Sequence, residues 1–246
     1  MYLCTLTHYK MTNTGKIELM APAGNFESLQ AAIDNGADSV YFGVDQLNMR
    51  ARASINFTID DLDEIARRCA PKGIRTYLTL NTIIYDHDLS IIKTLLDAAK
   101  KAGLTAVIAM DQAVIAYARQ IGMEVHISTQ INITNIETVR FYAMFADTMV
   151  MSRELSLRQI KKICEQIEKE QIKGPSGNLV EIEIFGHGAL CMAVSGKCYL
   201  SLHSHNSSAN RGACKQNCRK KYTVIDQESG FEIELDNEYM MSPKDL

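Results

Sequence analysis

Short apolar runs alternate with segments of helical periodicity along most of this chain, and this alternation is the feature that most constrains its fold. Strands that alternate with helices form a parallel sheet with right-handed crossovers, because the chain has to return along a helix before it adds the next parallel strand. Seven runs are predicted to be strands, at intervals of roughly 20 to 35 residues: residues 17–21, 39–44, 75–80, 106–110, 124–127, 148–151 and 180–185.

The segments between these runs indicate where helices begin and which face they bury. Thr58 is predicted to be an N-cap with Asp61 in the capping-box position. Asn25 is predicted to open an earlier helix that ends at residues 35–36. A third helix repeats apolar residues at helical spacing, and we expect its buried face to consist of Ile91, Leu95, Leu96 and Ala99.

Seven strands at this spacing favour an α/β fold of the TIM-like (β/α)8-barrel type over an open sheet. No eighth strand of this kind follows the seventh, so the barrel is expected to be truncated before its last strand, with a cysteine-rich insertion after strand 7. We therefore expect an N-terminal extension at residues 1–15, barrel units at 16–188 and a cysteine-rich module at 189–246. The module is predicted to contain a hairpin at residues 222–235 and to stop at a helix start, residues 242–246.

Polar side chains follow most of the predicted strands at the point where each strand ends. In a barrel these ends meet on one face, where the active sites of such folds lie. Each of these residues alone also suits the capping of the next helix, but together they favour a polar pocket. The residues are Asn81, Thr82, Asp111, Gln112, Ser128, Thr129, Gln130, Arg153, Glu154 and His187.

Four of the seven cysteines, namely Cys191, Cys198, Cys214 and Cys218, fall within 28 residues, whereas Cys4, Cys69 and Cys164 are scattered singly. Four thiols this close in sequence can surround one metal centre. Cys69 and Cys164 lie on apolar helix faces and are predicted to be core residues. His203 and His205 lie in a polar segment and are predicted to be exposed rather than metal ligands.

Several interpretations of the four thiols remain open on chemistry alone. Disulfides require an oxidising compartment, but residues 1–16 contain no apolar signal segment and the cysteine count is odd. Structural zinc usually has paired Cys-x2-Cys ligands, which these spacings do not provide. An iron–sulfur cluster tolerates irregular spacing and needs four thiolates, so it is favoured over zinc, disulfides or inert thiols.

Composition limits the classes of protein to which this chain can belong. A net charge of -3 and a pI near 6.1 give no overall signature of nucleic-acid binding. With 46% hydrophobic residues the chain can bury a large core, yet it has no apolar run near the ~20 residues of a membrane helix. We expect a soluble, cytoplasmic protein that makes no membrane contact.

The sequence contains parts of protease motifs. His187 precedes Cys191 by four residues, which supplies two parts of a cysteine protease without an orienting third residue. The chain has neither the His-Glu-x-x-His motif of metalloproteases nor the Gly-x-Ser-x-Gly motif of serine hydrolases. No protease constellation is therefore complete.

A basic cluster lies beside the cysteines and predicts RNA contact, with Tyr199 and Tyr222 nearby for base stacking. The same charges could neutralise an anionic metal–thiolate unit or form a solvated face. The cluster consists of Arg211, Lys215, Arg219, Lys220 and Lys221.

Several blocks of this sequence resemble the collagenase-like peptidase family U-32 from about residue 16 to the end of the chain. The strand blocks that resemble it are residues 17–24, 39–43, 81–82, 128–130 and 153–155. The family's signature is similar to residues 183–198 together with residues 210–212, 214 and 218–222. Within the family, the sequence looks most like the branch that hydroxylates the wobble uridine of tRNA to 5-hydroxyuridine.

This resemblance implies a 4Fe-4S cluster, with zinc as the alternative, held by Cys191, Cys198, Cys214 and Cys218. It also implies tRNA or another RNA as substrate, a prephenate-like small molecule, and an electron donor or partner protein. Members of the branch continue beyond residue 246, and we expect whatever those further parts contribute to be absent from residues 1–246. A collagenase-like peptidase, or a metal-stabilised binding fragment without catalysis, are the alternatives.

On this interpretation His187, Glu154 and Arg153 are the catalytic candidates. Arginine pairs with carboxylates through two parallel hydrogen bonds, so Arg50, Arg52 and Arg153 suit a dicarboxylate ligand. Glu154 could instead form an ion pair with a neighbouring strand end, and Arg50 and Arg52 could be surface charges. The substrate-binding candidates are Arg50, Arg52, Asn81, Gln130, Arg211, Arg219 and Lys220.

Overall fold

A computed structural model describes residues 3–6, 17–44, 47–49, 57–188, 191–220 and 222–235. The strands are β1 (Leu3–Leu6), β2 (Glu18–Pro22), β3 (Ser39–Phe42), β4 (Arg75–Leu80), β5 (Ala106–Ala109), β6 (Glu124–Ile127), β7 (Thr148–Val150), β8 (Glu181–Phe185), β9 (Tyr222–Ile225) and β10 (Glu232–Leu235). The α-helices are α1 (Phe26–Asp34), α2 (Leu62–Cys69), α3 (Leu89–Lys101), α4 (Gln112–Gln120), α5 (Ile136–Ala143), α6 (Leu157–Glu170) and α7 (Leu200–His205).

Seven consecutive parallel strands, β2 to β8, curl into most of a barrel, and one of the helices α1 to α6 follows each strand from β2 to β7. This matches the predicted succession of β/α units. The gap expected after the seventh parallel strand is filled by β1, which lies inside the predicted N-terminal extension. Because β1 pairs antiparallel with both β2 and β8, the ring of eight strands is closed.

The barrel has an outer and an inner set of buried side chains, because successive residues of a strand point to opposite faces. On β3, Val40 and Phe42 pack in the large cluster beneath the helices, whereas Tyr41 packs in the smaller inner cluster. The other buried members of the inner cluster are Met20, Tyr77, Ala106, Ile108 and Val150.

The barrel interior also contains a buried polar network on the side of the strands' amino ends. The hydroxyl of Tyr77 donates to Glu18 Oε1 at 2.8 Å, and Arg75 forms an ion pair with Glu18. The Tyr77 and His126 rings are 4.6 Å apart, and His126 Nδ1 lies 3.9 Å from Glu183 Oε2. Glu183 is fully buried, and among the described residues neither of its carboxylate oxygens has a hydrogen-bond partner. Burial raises the pKa of Glu183 to about 7.

The helix starts and ends agree closely with those predicted from the sequence, but the buried face of one helix was predicted one residue out of position. Asn25 caps α1 through a capping box with Ser28, and the helix ends at Asn35. Asp61 accepts a hydrogen bond from the Thr58 N–H at 2.7 Å before α2 begins. The prediction that Ile91 belongs to the buried face of α3 is wrong.

Ile91 is 45% exposed and Ile92 is buried in its place, together with the predicted Leu95, Leu96 and Ala99. One residue turns a helix by about 100°, so two adjacent isoleucines leave the phase of the apolar face ambiguous at its start.

The predicted hairpin is confirmed as β9 and β10, which pair antiparallel. Its turn is held by Asp226, whose side chain accepts hydrogen bonds from the N–H groups of Glu228 and Ser229. The predicted helix start at residues 242–246 lies outside the described residues. In the part of the chain that the structure describes, no helix is both long and apolar enough to cross a membrane.

Candidate functional site

The carboxyl ends of the parallel strands bring together three of the predicted polar residues. Asn81, directly after β4, has its Nδ2 atom 3.5 Å from both Ser128 Oγ and Gln130 Oε1, which follow β6. Ser128 Oγ in turn donates to Gln130 Oε1, and the side-chain oxygen Oδ1 of Asn81 accepts from the Met49 N–H at 3.1 Å. The structure therefore places these side chains on one face of the barrel.

A tight turn of the cysteine-rich segment covers part of this face. Gly196 has φ +72°, and a methyl group in place of its hydrogen would lie 2.8 Å from Cβ and Cγ of Gln130. The Ser195 carbonyl accepts from Asn132 Nδ2 at 2.9 Å, and Ser195 Oγ accepts from Arg153 Nη2 at 2.7 Å. Gln130, a predicted substrate contact, is thus buried beneath the turn.

A second contact between the segment and the barrel is an ion pair. Arg211 Nη1 donates to Asp88 Oδ2 at 2.7 Å, and Nη2 donates to Asp88 Oδ1 at 3.3 Å. The same guanidinium donates to the Ile83 carbonyl at 3.0 Å and stacks 4.1 Å from the centre of the Tyr85 ring. Asp88 is buried, and burial alone would raise the pKa of its carboxyl group. The hydrogen bond from the Arg211 guanidinium outweighs this effect and lowers the pKa. Arg211, predicted to contact substrate, is therefore engaged in docking.

Asn210 links this ion pair to a cysteine. Its carbonyl accepts from the Ile83 N–H at 3.2 Å, and its side-chain oxygen accepts from the Cys198 N–H at 2.8 Å. Sequence reasoning missed the docking roles of Asp88, Asn210 and Ser195. For Asn210 a signal existed, because it lies in one of the blocks that resemble the family signature.

The four clustered cysteines are free thiols at the surface of the segment. Cys191 and Cys214 are exposed, while Cys198 and Cys218 are partly buried. Burial is the main cause that raises the pKa of Cys218, and the charges of Cys191, Cys214 and Cys198 raise it further. The backbone N–H of Gln216 donates to Cys214 Sγ at 3.3 Å. The four sulfur atoms thus share one region of the surface.

These thiols do not form a closed coordination shell. Among the described residues, no three His, Cys, Asp or Glu side chains are arranged to hold a metal ion. The donor set itself, four thiols free of disulfides and close enough to influence one another electrostatically, fits a metal that prefers sulfur, such as zinc or the irons of a 4Fe-4S cluster. Such a group would be held by Cys191, Cys198, Cys214 and Cys218.

The predicted burial of Cys69 and Cys164 and the predicted exposure of His203 and His205 are confirmed. Cys69 is fully buried, and Cys164 packs partly buried against the core. Burial raises the pKa of both thiols to about 11, so both are poor nucleophiles at neutral pH. His203 and His205 are exposed on α7.

The three catalytic candidates lie at the ends of β7 and β8 without forming a protease site. Arg153 lies 5.4 Å from the centre of the Phe185 ring, in addition to its bond to Ser195. Glu154 and His187 are exposed, and neither has a hydrogen bond or ion pair with another described residue. No hydrogen bond joins His187 to Cys191 within the described part of the chain.

The other predicted contacts are only partly described. Arg50, Arg52 and Lys221 lie outside the described residues. Arg219 is partly exposed, and Lys220 is exposed with its Nζ 3.5 Å from His205 Nε2. Lys215 and Tyr199 are also exposed beside the cysteines.

Comparisons with known proteins identify the family. The model of peptidase family U32 matches residues 24–246. A collagenase of Porphyromonas gingivalis (strain W83) is 58% identical over 95% of this chain and 56% of its own length. The tRNA hydroxylation protein P1 of Bacillus subtilis is 34% identical over 99% of this chain and 57% of its own length. The chain thus spans about half the length of these curated relatives.

A solved structure supports the fold. The U32 peptidase Mk0906 aligns with a TM-score of 0.51 at 13% identity, over 65% of this chain and 69% of that one. Similarity at this identity concerns the fold alone. Because the family model matches most of the sequence, this chain belongs to peptidase family U32.

Proposed function

We propose that this chain is part of a U32 enzyme that acts at the carboxyl-end face of the barrel, with collagenase-like peptide hydrolysis as the first candidate activity. The observation that supports it is the 58% identity to a P. gingivalis collagenase over 95% of the chain. The relatives that carry RNA-hydroxylation names are more distant, such as the B. subtilis protein at 34%. The comparisons therefore favour the peptidase alternative over the RNA hydroxylase that the sequence motifs first indicated.

The described residues supply only part of a hydrolytic mechanism. Catalysis by a thiol or hydroxyl requires a base within hydrogen-bond reach that is itself held in place. Ser204 Oγ lies 2.7 Å from His205 Nδ1, but these are neighbouring residues of α7 and the same hydroxyl lies 2.7 Å from the Leu200 carbonyl. A peptidase mechanism would thus need the clustered thiols or residues outside those described.

The second candidate is hydroxylation of RNA that depends on an iron–sulfur cluster. It is favoured by the four free thiols on one surface, with the cationic Lys215, Arg219 and Lys220 beside them. A bound cluster would supply the electron transfer that amino-acid side chains lack. In this candidate the exposed Tyr199 offers a ring on which a base can stack, and the lysines contact phosphates.

A prephenate-like dicarboxylate and an electron-donor protein remain part of this second candidate. To bind a carboxylate, Arg153 would exchange or extend its contact with Ser195. His187 and Glu154 are exposed at the same face and would be available to a bound substrate.

One preparation can separate the candidates. The protein is purified without oxygen, its iron, sulfide and zinc are counted, and the same sample is assayed for gelatin cleavage and, by mass spectrometry, for RNA hydroxylation. Cleavage that persists in Cys214→Ala, whose side chain is exposed beside the other thiols, would support a peptidase independent of the thiol centre. Iron with sulfide and RNA hydroxylation, both lost in Cys214→Ala and kept in Cys164→Ala, would support the hydroxylase. Neither activity, with metal retained, would indicate a binding fragment.

A further inference from the structure

The ion pair between Asp88 and Arg211 joins two regions that are 123 residues apart in sequence. Asp88 belongs to a short 3-10 helix (Asp86–Asp88) between β4 and α3, on the barrel, and Arg211 belongs to a 3-10 helix (Ala209–Arg211) in the cysteine-rich segment. The two guanidinium nitrogens reach both carboxylate oxygens, at 2.7 and 3.3 Å. An arginine and a carboxylate joined by two hydrogen bonds are fixed in their relative orientation as well as in their distance.

The surroundings of the pair strengthen it. The Asp88 side chain is 5% exposed and that of Arg211 is 23% exposed, so water screens their attraction only in part. Arg211 is held further by the Ile83 carbonyl and the Tyr85 ring. Removal of either charge leaves the other buried or partly buried without this ion-pair partner, which is costly in proteins.

This contact is close in the chain to two of the thiols. Asn210 precedes Arg211 and accepts the Cys198 N–H at 2.8 Å, while Cys214 follows Arg211 by three residues. The carbonyl of the intervening Ala213 accepts from Ser207 Oγ at 2.7 Å. Arg211 is therefore linked to Cys198 through the side chain of its neighbour Asn210, and to Cys214 through a backbone of only two intervening residues.

We infer that Asp88 and Arg211 are positioning residues, whose ion pair sets the spacing of Cys198 and Cys214 for metal binding by the four thiols. The inference rests on the thiolate centre named in the second candidate function. It assigns a role in that centre to an aspartate of the barrel that is more than a hundred residues from the nearest ligand in sequence.

The segment has a second attachment, which predicts that losing the ion pair changes its position rather than releasing it. Ser195 is bound by Asn132 and Arg153, and Gly196 packs on Gln130. A variant that lacks only the ion pair should thus remain folded and lose the spacing of its thiols. Groups that position metal ligands from outside the coordination shell typically contribute 10- to 100-fold to metal affinity.

The test is titration of the reduced full chain with Co²⁺ alone, whose thiolate complexes absorb light through charge transfer. Asp88→Asn removes the charge but keeps an oxygen that can accept the Tyr85 N–H, now bound at 2.8 Å. We expect it to bind Co²⁺ about tenfold more weakly than the wild type, with partial rescue by Asp88→Glu. Asp86→Asn, an exposed neighbour in the same 3-10 helix, is the matched control and should bind as the wild type does.

A second variant, Arg211→Lys, and a labelling assay distinguish the loss of thiol positioning from a failure to fold. This substitution keeps the positive charge and loses the two-pronged contact, so it should weaken Co²⁺ binding while the melting temperature stays near that of Asp86→Asn. In metal-free protein, both substitutions should increase the rate at which maleimide labels Cys198. Wild-type affinity in folded Asp88→Asn and Arg211→Lys would overturn the positioning role and leave the thiolate centre intact. A wild-type chain that gives no thiolate–cobalt absorption would overturn the centre itself and the inference with it.

Discussion

At the scale of single residues, Gly196 shows how closely the cysteine-rich segment approaches the barrel. Its φ of +72° lies in the left-handed region that favours glycine, and its α-carbon faces Gln130 with no room for a methyl group. Two separate costs, backbone conformation and steric contact, therefore oppose any other residue here.

We expect Gly196→Ala to destabilise the docked segment by about 1–3 kcal/mol for the contact, in addition to the backbone cost of about 1 kcal/mol. Gly230→Ala is the matched control, since Gly230 has φ +69° and nothing within 4 Å of an added methyl group. Denaturant unfolding, followed together with the labelling rate of Cys198, measures both effects. Equal losses in the two variants would mean that the contact with Gln130 contributes nothing.

Glu183 lies in an environment that opposes its ordinary charge. Its pKa is raised from 4.5 to about 7 by burial, whereas the nearby His126 and Arg75 only partly offset this effect. A raised carboxyl pKa means that the folded state holds its proton more tightly than the unfolded state does. This carboxyl therefore lowers the free energy of unfolding as the pH rises from about 4.5 to 7, and the loss is complete above pH 7.

Glu183→Gln should consequently stabilise the protein, by a small amount at pH 4.5 and by a few kcal/mol, roughly 3, at pH 8. Thermal unfolding measured at both pH values provides the test. Glu228→Gln in the exposed β9–β10 turn is the control and should give a difference near zero at each pH. A Glu183→Gln effect of the same size at both pH values would show that the carboxyl is not titrating in this window.

At the scale of elements, the parallel strands and most helices could be predicted because the signals are local. Apolar runs gave β2 to β8 to within about two residues, and Asn25 and Thr58 marked helix starts through their own capping chemistry. The closing strand β1 could not be found in this way, because its pairing with β2 and β8 joins distant parts of the chain.

The candidate site likewise has residues that could be predicted from the sequence and contacts that could not. The strand-end residues Asn81, Ser128 and Gln130 were predictable from the rule that parallel strands end on one face. The contacts that cover them were not, since the Asp88–Arg211 pair and the packing of Gly196 on Gln130 depend on distances between segments far apart in sequence.

The position of β1 leads to a prediction about the N-terminal segment. Without β1, the backbone groups of β2 and β8 that it pairs would be unpaired edges, and exposed edges promote association between chains. A chain that starts at residue 16 should melt at a lower temperature and aggregate at lower concentration than residues 1–246. Light scattering and calorimetry measure these effects, and an unchanged melting temperature would contradict the pairing.

A further variant separates pairing from mere chain length. Thr5→Pro removes one backbone N–H in the middle of β1 and should reproduce part of the loss in melting temperature. If deletion destabilises the protein while Thr5→Pro does not, the N-terminal segment acts in some way other than through its strand pairing.

At the scale of the whole molecule, the described residues join the barrel and the cysteine-rich segment at two separate places. Ser195 and Gly196 contact residues that follow β6 and β7, while Asn210 and Arg211 contact the loop after β4. Because these attachments lie on either side of Cys198 in sequence, the stability of the segment is expected to be coupled to that of the barrel face.

This coupling predicts how metal binding should affect unfolding. A ligand that binds only the folded state stabilises it by RT ln(1 + [L]/Kd), which is about 2.7 kcal/mol at a hundredfold excess over Kd. If the four thiols bind Co²⁺ and the segment unfolds together with the barrel, Co²⁺ should raise the single melting temperature of the whole chain. Far-ultraviolet circular dichroism, which reports mainly the barrel helices, should then shift with the loss of thiolate–cobalt absorption.

Variants test whether the Co²⁺-induced shift in melting temperature depends on the observed contacts between the segment and the barrel. Cys214→Ala should abolish the Co²⁺-induced shift, and Cys164→Ala, on the face of α6, should retain it. Asp88→Asn should bind Co²⁺ with a smaller shift at the same concentration, because both affinity and docking are weakened. Two separate transitions in the wild type, with only the smaller one responding to Co²⁺, would contradict coupling and show that the segment folds independently of the barrel face on which it lies.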